Sequence, residues 1–285
     1  MDAIDQAVRT SVQAPPGRPV ALLRACHPVP TVVVTLLVSG VAGASGQGLP
    51  GCVLATAAVL AGQLSIGWSN DAVDAARDIA AGRSDKPVAT GALLPRTVRI
   101  SALVALAVCV PLSLAYGVLA GTVHLVGVSA AWLYNLWLKR TVLSWLPYAV
   151  GFASLPAFVT LGLPGQPRPD GWTVTAAALI GVGAHLGNVL PDIGGDLALG
   201  VRGWPQRLGP AGVRLLLPVP LVAATVLLAL GRPSVPGAAA VALALAVAVG
   251  GALLGRHRPG AAFLAAILVA AADVALLLRQ GPPSG

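Results

Sequence analysis

The sequence predicts an all-α membrane protein in which nine transmembrane helices form one bundle around a central cavity. The first observation is composition: the 285 residues are 56% hydrophobic and 10% charged, whereas soluble domains are about 25% charged. The second is a series of apolar runs, each close to the ~20 residues that span a bilayer. The third is the way basic residues alternate between the connections of these runs. Together these observations exclude a soluble globular domain.

Nine apolar runs follow one another along the chain, and their Gly and Ala content suits close packing of membrane helices. Residues 1–26 precede them as a cytoplasmic segment that we expect to be retained rather than cleaved as a leader. Residues 27–280 are expected to form a single transmembrane domain. The runs cover approximately residues 28–46, 50–69, 98–116, 120–138, 144–163, 172–191, 211–230, 236–254 and 261–279.

Basic residues support this number of spans. If the connections are assigned alternately to two sides, 15 of the 18 Lys and Arg residues fall on the side of the N-terminus and three on the other. The three are Arg168, Arg232 and Arg279. By the positive-inside rule, the N-terminus is then cytoplasmic. The net charge of +8 is therefore interpreted as a determinant of topology and not as a nucleic-acid surface.

Acidic residues form two related clusters, each at the predicted cytoplasmic end of a span. The chain has ten Asp and no Glu, and a spacing of four residues places the cluster members on one helix face. Corresponding positions of the clusters lie 118 residues and four spans apart, which indicates two pseudo-repeated four-helix halves in parallel orientation. Cap loops are expected at about 79–97 and 197–210, directly after the clusters. The first cluster is Asn70, Asp71, Asp74 and Asp78, and the second is Asn188, Asp192 and Asp196.

Carboxylate and amide oxygens without nearby His or Cys suit Mg²⁺, which prefers one or two carboxylates together with water and phosphate oxygens. Basic residues on the same side can hold the remaining oxygens of a diphosphate. An apolar bundle behind this polar rim fits a hydrocarbon tail, so the ligand is predicted to be an allylic diphosphate that ionises to a cation. The predicted diphosphate-binding residues are Arg83, Lys86, Lys139, Arg140, Arg202 and Arg207.

The same residues resemble the UbiA superfamily of intramembrane prenyltransferases. The family signatures NDxxDxxxD and DxxxD are similar to residues 70–78 and 192–196, and a basic R…RP…G segment is similar to residues 83–91. The Y…LKR-T segment resembles residues 134–141, and the GxK/R segment resembles residues 200–202. Lys86 stands in place of the usual Arg, and Ala198 stands where many members have Lys. The resemblance implies nine helices and a site on the cytoplasmic side.

The resemblance and the polarity pattern assign roles to individual residues. Catalytic roles are predicted for Asp71, Asp74, Asp192, Lys139 and Arg140, and Mg²⁺ is predicted to be held by the two acidic clusters. Asp273, a lone acid in the last run, has no assigned role, and His124 is interpreted as a packing residue near the opposite side of the membrane. The residues expected to line the cavity are Tyr134, Trp68, His185 and Arg24.

The predicted function is Mg²⁺-dependent transfer of a prenyl group from an isoprenoid diphosphate to a small acceptor, aromatic or a quinone precursor. A UbiA-type terpene cyclase, which needs no acceptor, is a second hypothesis, weakly disfavoured by the 4% aromatic content. A transporter or cation channel is a third, disfavoured because its carboxylates would be expected near the membrane midplane. Amino-acid usage favours a multi-pass protein of a bacterial plasma membrane.

Overall fold

The computed structural model describes residues 17–255 and 260–279, and within these ranges the protein is helical with no β-strand. Two 3-10 turns, Leu138–Arg140 and Leu190–Asp192, interrupt the α-helices. Arg9, Arg256 and Arg258, which contribute to the predicted charge asymmetry, lie outside the described residues. The helices are α1 Arg18–Ala25, α2 Pro28–Ala44, α3 Leu49–Ala80, α4 Pro95–Tyr116, α5 Val118–Leu136, α6 Leu146–Leu161, α7 Gly171–Val189, α8 Ile193–Ala198, α9 Trp204–Leu216, α10 Pro218–Gly231, α11 Val235–Leu254 and α12 Ala261–Arg279.

Each predicted apolar run overlaps one α-helix, except that the run at 211–230 covers the end of α9 and most of α10. The helices differ in their ability to cross a membrane. Among the described residues, five helical segments are long and apolar enough to do so, and seven if the bent pairs α1–α2 and α9–α10 each count as one span. The all-helical membrane architecture is confirmed. The count of nine spans and the cytoplasmic N-terminus stay predictions. Helix α3, at 32 residues, extends 11 residues beyond the predicted run and carries the whole first acidic cluster.

A bend of 66° separates α1 from α2 and brings His27 toward α3. His27 has a left-handed backbone (φ 55°), a conformation that residues other than glycine seldom adopt. The bend packs on Gly67 of α3, where a Cβ atom would lie 2.1 Å from the carbonyl oxygen of Cys26. Only glycine permits this close approach, so a backbone contact between helices fixes the position of His27.

The two halves of the chain have separate apolar cores. Val38, Val59 and Phe158 belong to a core cluster formed by α2–α6, whereas Leu186 and Val269 belong to one formed by α7–α12. Helix α12 also packs on α2, which closes the ring of helices. The space enclosed by the ring, between the two cores, is a large cavity.

Candidate active site

The cavity, with a volume of about 870 Å³, receives side chains from both acidic clusters. Helix α3 supplies residues of the first cluster, and the region from α7 to α8 supplies the second. The expectation that one site is built from two halves of the chain therefore agrees with the placement of these side chains. The cluster residues that line the cavity are Asn70, Asp74, Asp78, Asn188, Asp192 and Asp196.

Asp74 is held between two cations on the cavity wall. Lys139, in the 3-10 turn after α5, donates a hydrogen bond to Asp74 Oδ1, and Arg77 Nη2 lies 2.7 Å from Asp74 Oδ2. Burial lowers the pKa of Lys139, and the adjacent Asp74 opposes this shift. Lys139 contacts Asp74 and also lines the cavity, and its catalytic role stays a prediction.

Arg77 is a cavity residue that the sequence reasoning missed. Its Nη1 is buried and has no hydrogen-bond partner among the described residues, while its side chain lines the cavity. The available signal was its position three residues after Asp74, which places the two side chains beside each other on the helix surface. A buried guanidinium nitrogen without a partner is suited to bind an anionic ligand.

Asp71 occupies a different position from its cluster neighbours. It is 2% exposed, and its Oδ1 lies 2.7 Å from Lys86 Nζ and 3.0 Å from His27 Nε2. Asp71 was predicted to hold metal, but it lies behind the cavity wall, because Lys86 and His27 cover it and themselves line the cavity. In this arrangement Asp71 connects the cap loop after α3 with the bend between α1 and α2.

Three carboxylates face the cavity without an ion-pair partner among the described residues: Asp78, Asp192 and Asp196. Of these, Asp196 accepts a hydrogen bond of 2.8 Å from Gln206. No group of three or more His, Cys, Asp or Glu residues within the described ranges is arranged to hold a metal by itself. The donor set nevertheless fits Mg²⁺, since this ion is usually bound by one or two carboxylates plus substrate phosphates.

The two amides that precede the carboxylates are hydrogen-bonded to the cavity wall. Asn70 donates to Asn135 Oδ1 at 3.1 Å, and Asn188 donates to the hydroxyl of Tyr148 at 3.1 Å. Tyr148 packs edge-on against Tyr134, with ring centroids 5.2 Å apart. Tyr134 and Arg24 line the cavity as predicted. Asn135 and Tyr148 were missed as site residues, since neither bears a charge or belongs to an acidic cluster.

Arg83, in the cap loop, also lines the cavity. Its guanidinium forms two hydrogen bonds of 2.8 Å to Asp85. These hydrogen bonds lower the pKa of Asp85 to about 2. Arg83 thus lies at the mouth of the cavity as an ion pair with its neighbour.

Three predicted diphosphate-binding residues lie outside the cavity lining in this structure. Arg140, Arg202 and Arg207 are exposed, and Arg207 Nε donates to the backbone oxygen of Arg202 at 3.0 Å. Arg140 follows the buried Lys139 in a tight turn, so consecutive side chains leave it in different directions. The structure therefore does not bring these three residues into the cavity wall, and their binding of a diphosphate stays a prediction.

Trp68 and His185 were also predicted to line the cavity, and the structure places them elsewhere. Trp68 Nε1 donates to the Leu22 carbonyl at 2.9 Å, so Trp68 packs α1 against α3. His185 is 1% exposed, and its Nε2 lies 3.0 Å from Ser144 Oγ. The rings of Tyr134 and Tyr148 pack against His185 and separate it from the cavity.

This combination defines the class of protein: an intramembrane helical bundle with two opposed carboxylate clusters at an internal cavity. The chain belongs to the UbiA prenyltransferase family, whose model matches residues 31–271. No curated protein sequence matches the chain.

Solved structures of UbiA homologs have the same fold. The UbiA homolog from Archaeoglobus fulgidus, bound to DMAPP and Mg²⁺, is 16% identical, with a TM-score of 0.67 over 91% of this chain and 99% of that one. The apo UbiA homolog from Aeropyrum pernix K1 is 20% identical, with a TM-score of 0.68 over 87% and 96%. A digeranylgeranylglyceryl phosphate synthase is 13% identical, with a TM-score of 0.63 over 92% and 99%.

Proposed function

We propose that this protein transfers a prenyl group from an isoprenoid diphosphate to a small, electron-rich aromatic or quinone-precursor acceptor, with Mg²⁺ as cofactor, in a bacterial plasma membrane. The observation that carries this proposal is the pair of carboxylate clusters that face one cavity, whose mouth holds cations and whose walls farther in are mostly apolar. A diphosphate head with a hydrocarbon tail has the matching distribution of polarity. The family and the homologs solved with DMAPP, GPP and Mg²⁺ support the same ligand class.

The mouth of the cavity binds the diphosphate. Asp78 and Asp192, with Asn70, Asn188 and Asp196, would hold Mg²⁺, which neutralises the diphosphate and makes it a better leaving group. Arg77, Lys86 and Lys139 supply N–H donors to the oxygens that remain. These donors stabilise the charge that develops on the bridging oxygen as the C–O bond breaks.

The cavity wall next to the mouth protects the allylic cation. Tyr134 and Tyr148 present aromatic rings, whose faces attract a cation, and the surrounding aliphatic residues exclude water. A carbon of the acceptor forms the new C–C bond and then loses its proton, which restores the aromatic ring. The loops after α3 and after α8 would cap the mouth during this step.

Purified protein should be incubated with Mg²⁺ and a panel of prenyl diphosphates, with and without phenolic acceptors, and the products identified by mass spectrometry. Prenylated acceptor is the expected product, and cyclic hydrocarbon formed without acceptor would instead establish a terpene cyclase. Asp78→Asn and Asp192→Asn should each abolish diphosphate release, whereas Asp170→Asn, far from the cavity, should not. Turnover that survives both cavity substitutions would refute the assignment, and ion flux without any turnover would favour a transporter.

A further inference from the structure

The cavity ends partway along six of the helices that enclose it. Counted from the charged mouth, the lining residues of α2, α3, α5, α6, α7 and α12 stop before the far end of each helix is reached. Some of these helices run away from the mouth and others run toward it, so the common end point is a level within the bundle. The deepest lining residues on these helices are Val34, Gln63, His124, Leu155, Ile180 and Ala270.

The next residue on the same face of each helix is buried. A residue three or four positions further from the mouth shares the helix face of the last lining residue, and on all six helices it is at most 2% exposed. These side chains form a filled layer beyond the cavity, which we call the cavity floor. The floor residues are Val38, Val59, Ala120, Phe158, Ala176 and Asp273.

Phe158 has the largest side chain of the cavity floor. Its ring centroid lies 4.7 Å from that of His124 and 4.6 Å from that of Tyr116. His124 Nδ1 forms a hydrogen bond of 2.8 Å with Ser113 Oγ, and the Tyr116 hydroxyl accepts one of 2.9 Å from Gln47 Nε2. Hydrogen bonds therefore hold both rings that contact Phe158, so the Phe158 ring cannot move aside without displacing them.

The cavity floor is polar where α12 meets α10. Thr225, one turn beyond the lining residue Leu221 on α10, donates a hydrogen bond of 2.6 Å to Asp273 Oδ1. Asp273 Oδ2 is buried and has no hydrogen-bond partner among the described residues. A hydrocarbon has no donor to offer to this oxygen, so contact with it would not relieve the cost of burying it. An apolar tail therefore meets packed rings on the α6 side of the floor and a polar pair on the α12 side.

The depth of the cavity corresponds to about three isoprene units. Tyr134, beside the proposed allylic cation, and His124 are ten residues apart on α5, or about 15 Å along the helix axis. The four carbon–carbon bonds of an isoprene unit, each ~1.5 Å long and arranged in a zigzag, extend about 5 Å. An extended farnesyl tail therefore reaches the cavity floor, whereas the fourth unit of a geranylgeranyl tail meets side chains that already fill the space.

We propose that Phe158, held between His124 and Tyr116, sets the tail length of the prenyl diphosphate, with farnesyl as the longest tail that the cavity accepts in full. Phe158 determines this specificity by occupying the space that a fourth isoprene unit would need. The inference rests on the proposed function and names its donor substrate as a diphosphate with one to three isoprene units.

The test is a competition between the thiolo analogues of farnesyl and geranylgeranyl diphosphate, which are unreactive and differ only in the fourth isoprene unit. Equal amounts are added with Mg²⁺ to the tagged full chain in nanodiscs. The protein-containing nanodiscs are isolated, and the retained analogues are measured by mass spectrometry, with protein-free nanodiscs as the blank for partition into lipid. The wild type should retain the farnesyl analogue at least about tenfold over the geranylgeranyl analogue, because forcing groups into filled space costs a factor of this size.

Phe158→Leu should shift this ratio about tenfold toward the geranylgeranyl analogue, since the smaller side chain leaves room for part of a fourth unit. Ala270→Phe, which adds a ring at the deepest lining position of α12, should lower retention of the farnesyl analogue about tenfold relative to the geranyl analogue. Leu228→Ala removes apolar volume from a core cluster one turn beyond Thr225, so it is the matched control and should keep the wild-type ratio. Thermal melting checks that each variant is folded, and Ala270→Phe keeps the test valid if Phe158→Leu does not fold.

Equal retention of the farnesyl and geranylgeranyl analogues by the wild type would refute the length limit while the proposed function stands. Ratios that Phe158→Leu and Ala270→Phe leave unchanged would refute it in the same way. If no prenyl analogue, including that of geranyl diphosphate, is retained above the blank, the proposed function fails and the length limit fails with it. The two failures are therefore distinguishable.

Discussion

At the scale of single residues, the cavity mouth is organised by pairs of opposite charges. Lys139 and Arg77 share Asp74, and Lys86 and His27 share Asp71. Buried charges are tolerated when such partners satisfy them. The ion pairs fix the positions of these cations but leave some of their N–H donors unused. A bound diphosphate would offer oxygens to these remaining donors.

Arg77→Gln should raise the KM for a prenyl diphosphate about tenfold, because this side chain lines the cavity and the variant loses its charge and its buried, unpartnered Nη1 donor. Arg77→Lys keeps the charge but loses the planar, forked set of N–H donors, so its KM should lie between those of the wild type and Arg77→Gln. Steady-state diphosphate release provides the measurement. Arg96→Gln, at an exposed position of α4, is the control, and a KM within twofold of wild type for Arg77→Gln would contradict the role.

Asp85→Asn should change stability by less than about 1 kcal/mol, because the Asp85–Arg83 pair is largely exposed and such pairs contribute little. The pKa of Asp85 is lowered to about 2. The contribution of the pair is therefore complete above the unfolded-state pKa near 4 and is lost only as the pH falls toward 2. The difference in melting temperature between variant and wild type should be the same at pH 5 and pH 8, and a clear change between these values would argue against this assignment.

At the scale of elements, glycines decide how closely the helices around the cavity approach. Gly67 allows the α1–α2 bend to lie on α3, and the bend in turn carries His27 to Asp71. Gly181 of α7 likewise permits a close approach of two helices, since a Cβ there would lie 2.4 Å from the carbonyl oxygen of Tyr148 on α6. Backbone-to-backbone contact at such points positions side chains that are distant in sequence.

Gly67→Ala should destabilise the protein by about 1–3 kcal/mol, the usual cost of inserting a methyl group into filled space. It should also lower activity, because His27 and Lys86 would no longer meet at Asp71. Gly43→Ala is the matched control, since a Cβ at this position on α2 meets nothing within 4 Å. Melting temperature and diphosphate release measure the two effects, and equal behaviour of the two variants would show that the close approach is unimportant.

At the scale of the whole molecule, the cavity forms only when both halves of the chain are assembled. Helix α3 brings one set of carboxylates and the region from α7 to α8 brings the other, and α12 closes the ring on α2. Because both clusters line one cavity, we expect the site to lie on a single side of the membrane. The basic residues predict that this side is cytoplasmic.

Sidedness can be measured by cysteine labelling in a background without Cys26, Cys52 and Cys109. Ser84→Cys and Leu199→Cys lie beside the two clusters and should react with an impermeant thiol reagent only in inverted vesicles. Arg168→Cys, in the connection before α7, should react only in right-side-out vesicles. Labelling of Ser84→Cys and Leu199→Cys from opposite sides would contradict a shared cavity mouth, and labelling of all three from one side would contradict the predicted span count.

Much of the fold and the outline of the site could be predicted from the sequence. Apolar runs of about 20 residues reveal membrane helices because water cannot satisfy the backbone inside a bilayer. A spacing of four places Asn70, Asp74 and Asp78 on one face of α3, where they are found. The sequence was a weaker guide to diphosphate binding by Arg202 and Arg207. A basic residue near a helix end looks the same in the sequence whether it binds a ligand or determines membrane topology.

The sequence by itself determined the membrane class, the helical segments and the two acidic clusters, because these depend on local composition and on helical periodicity. Only the tertiary structure decided which polar groups meet across the bundle: that Asp71 is covered by Lys86 and His27, that Arg77 faces the cavity, that His185 lies behind two tyrosines, and that His124 lines the cavity wall. These outcomes depend on the rotation and close approach of helices far apart in the chain, and no local pattern encodes either quantity.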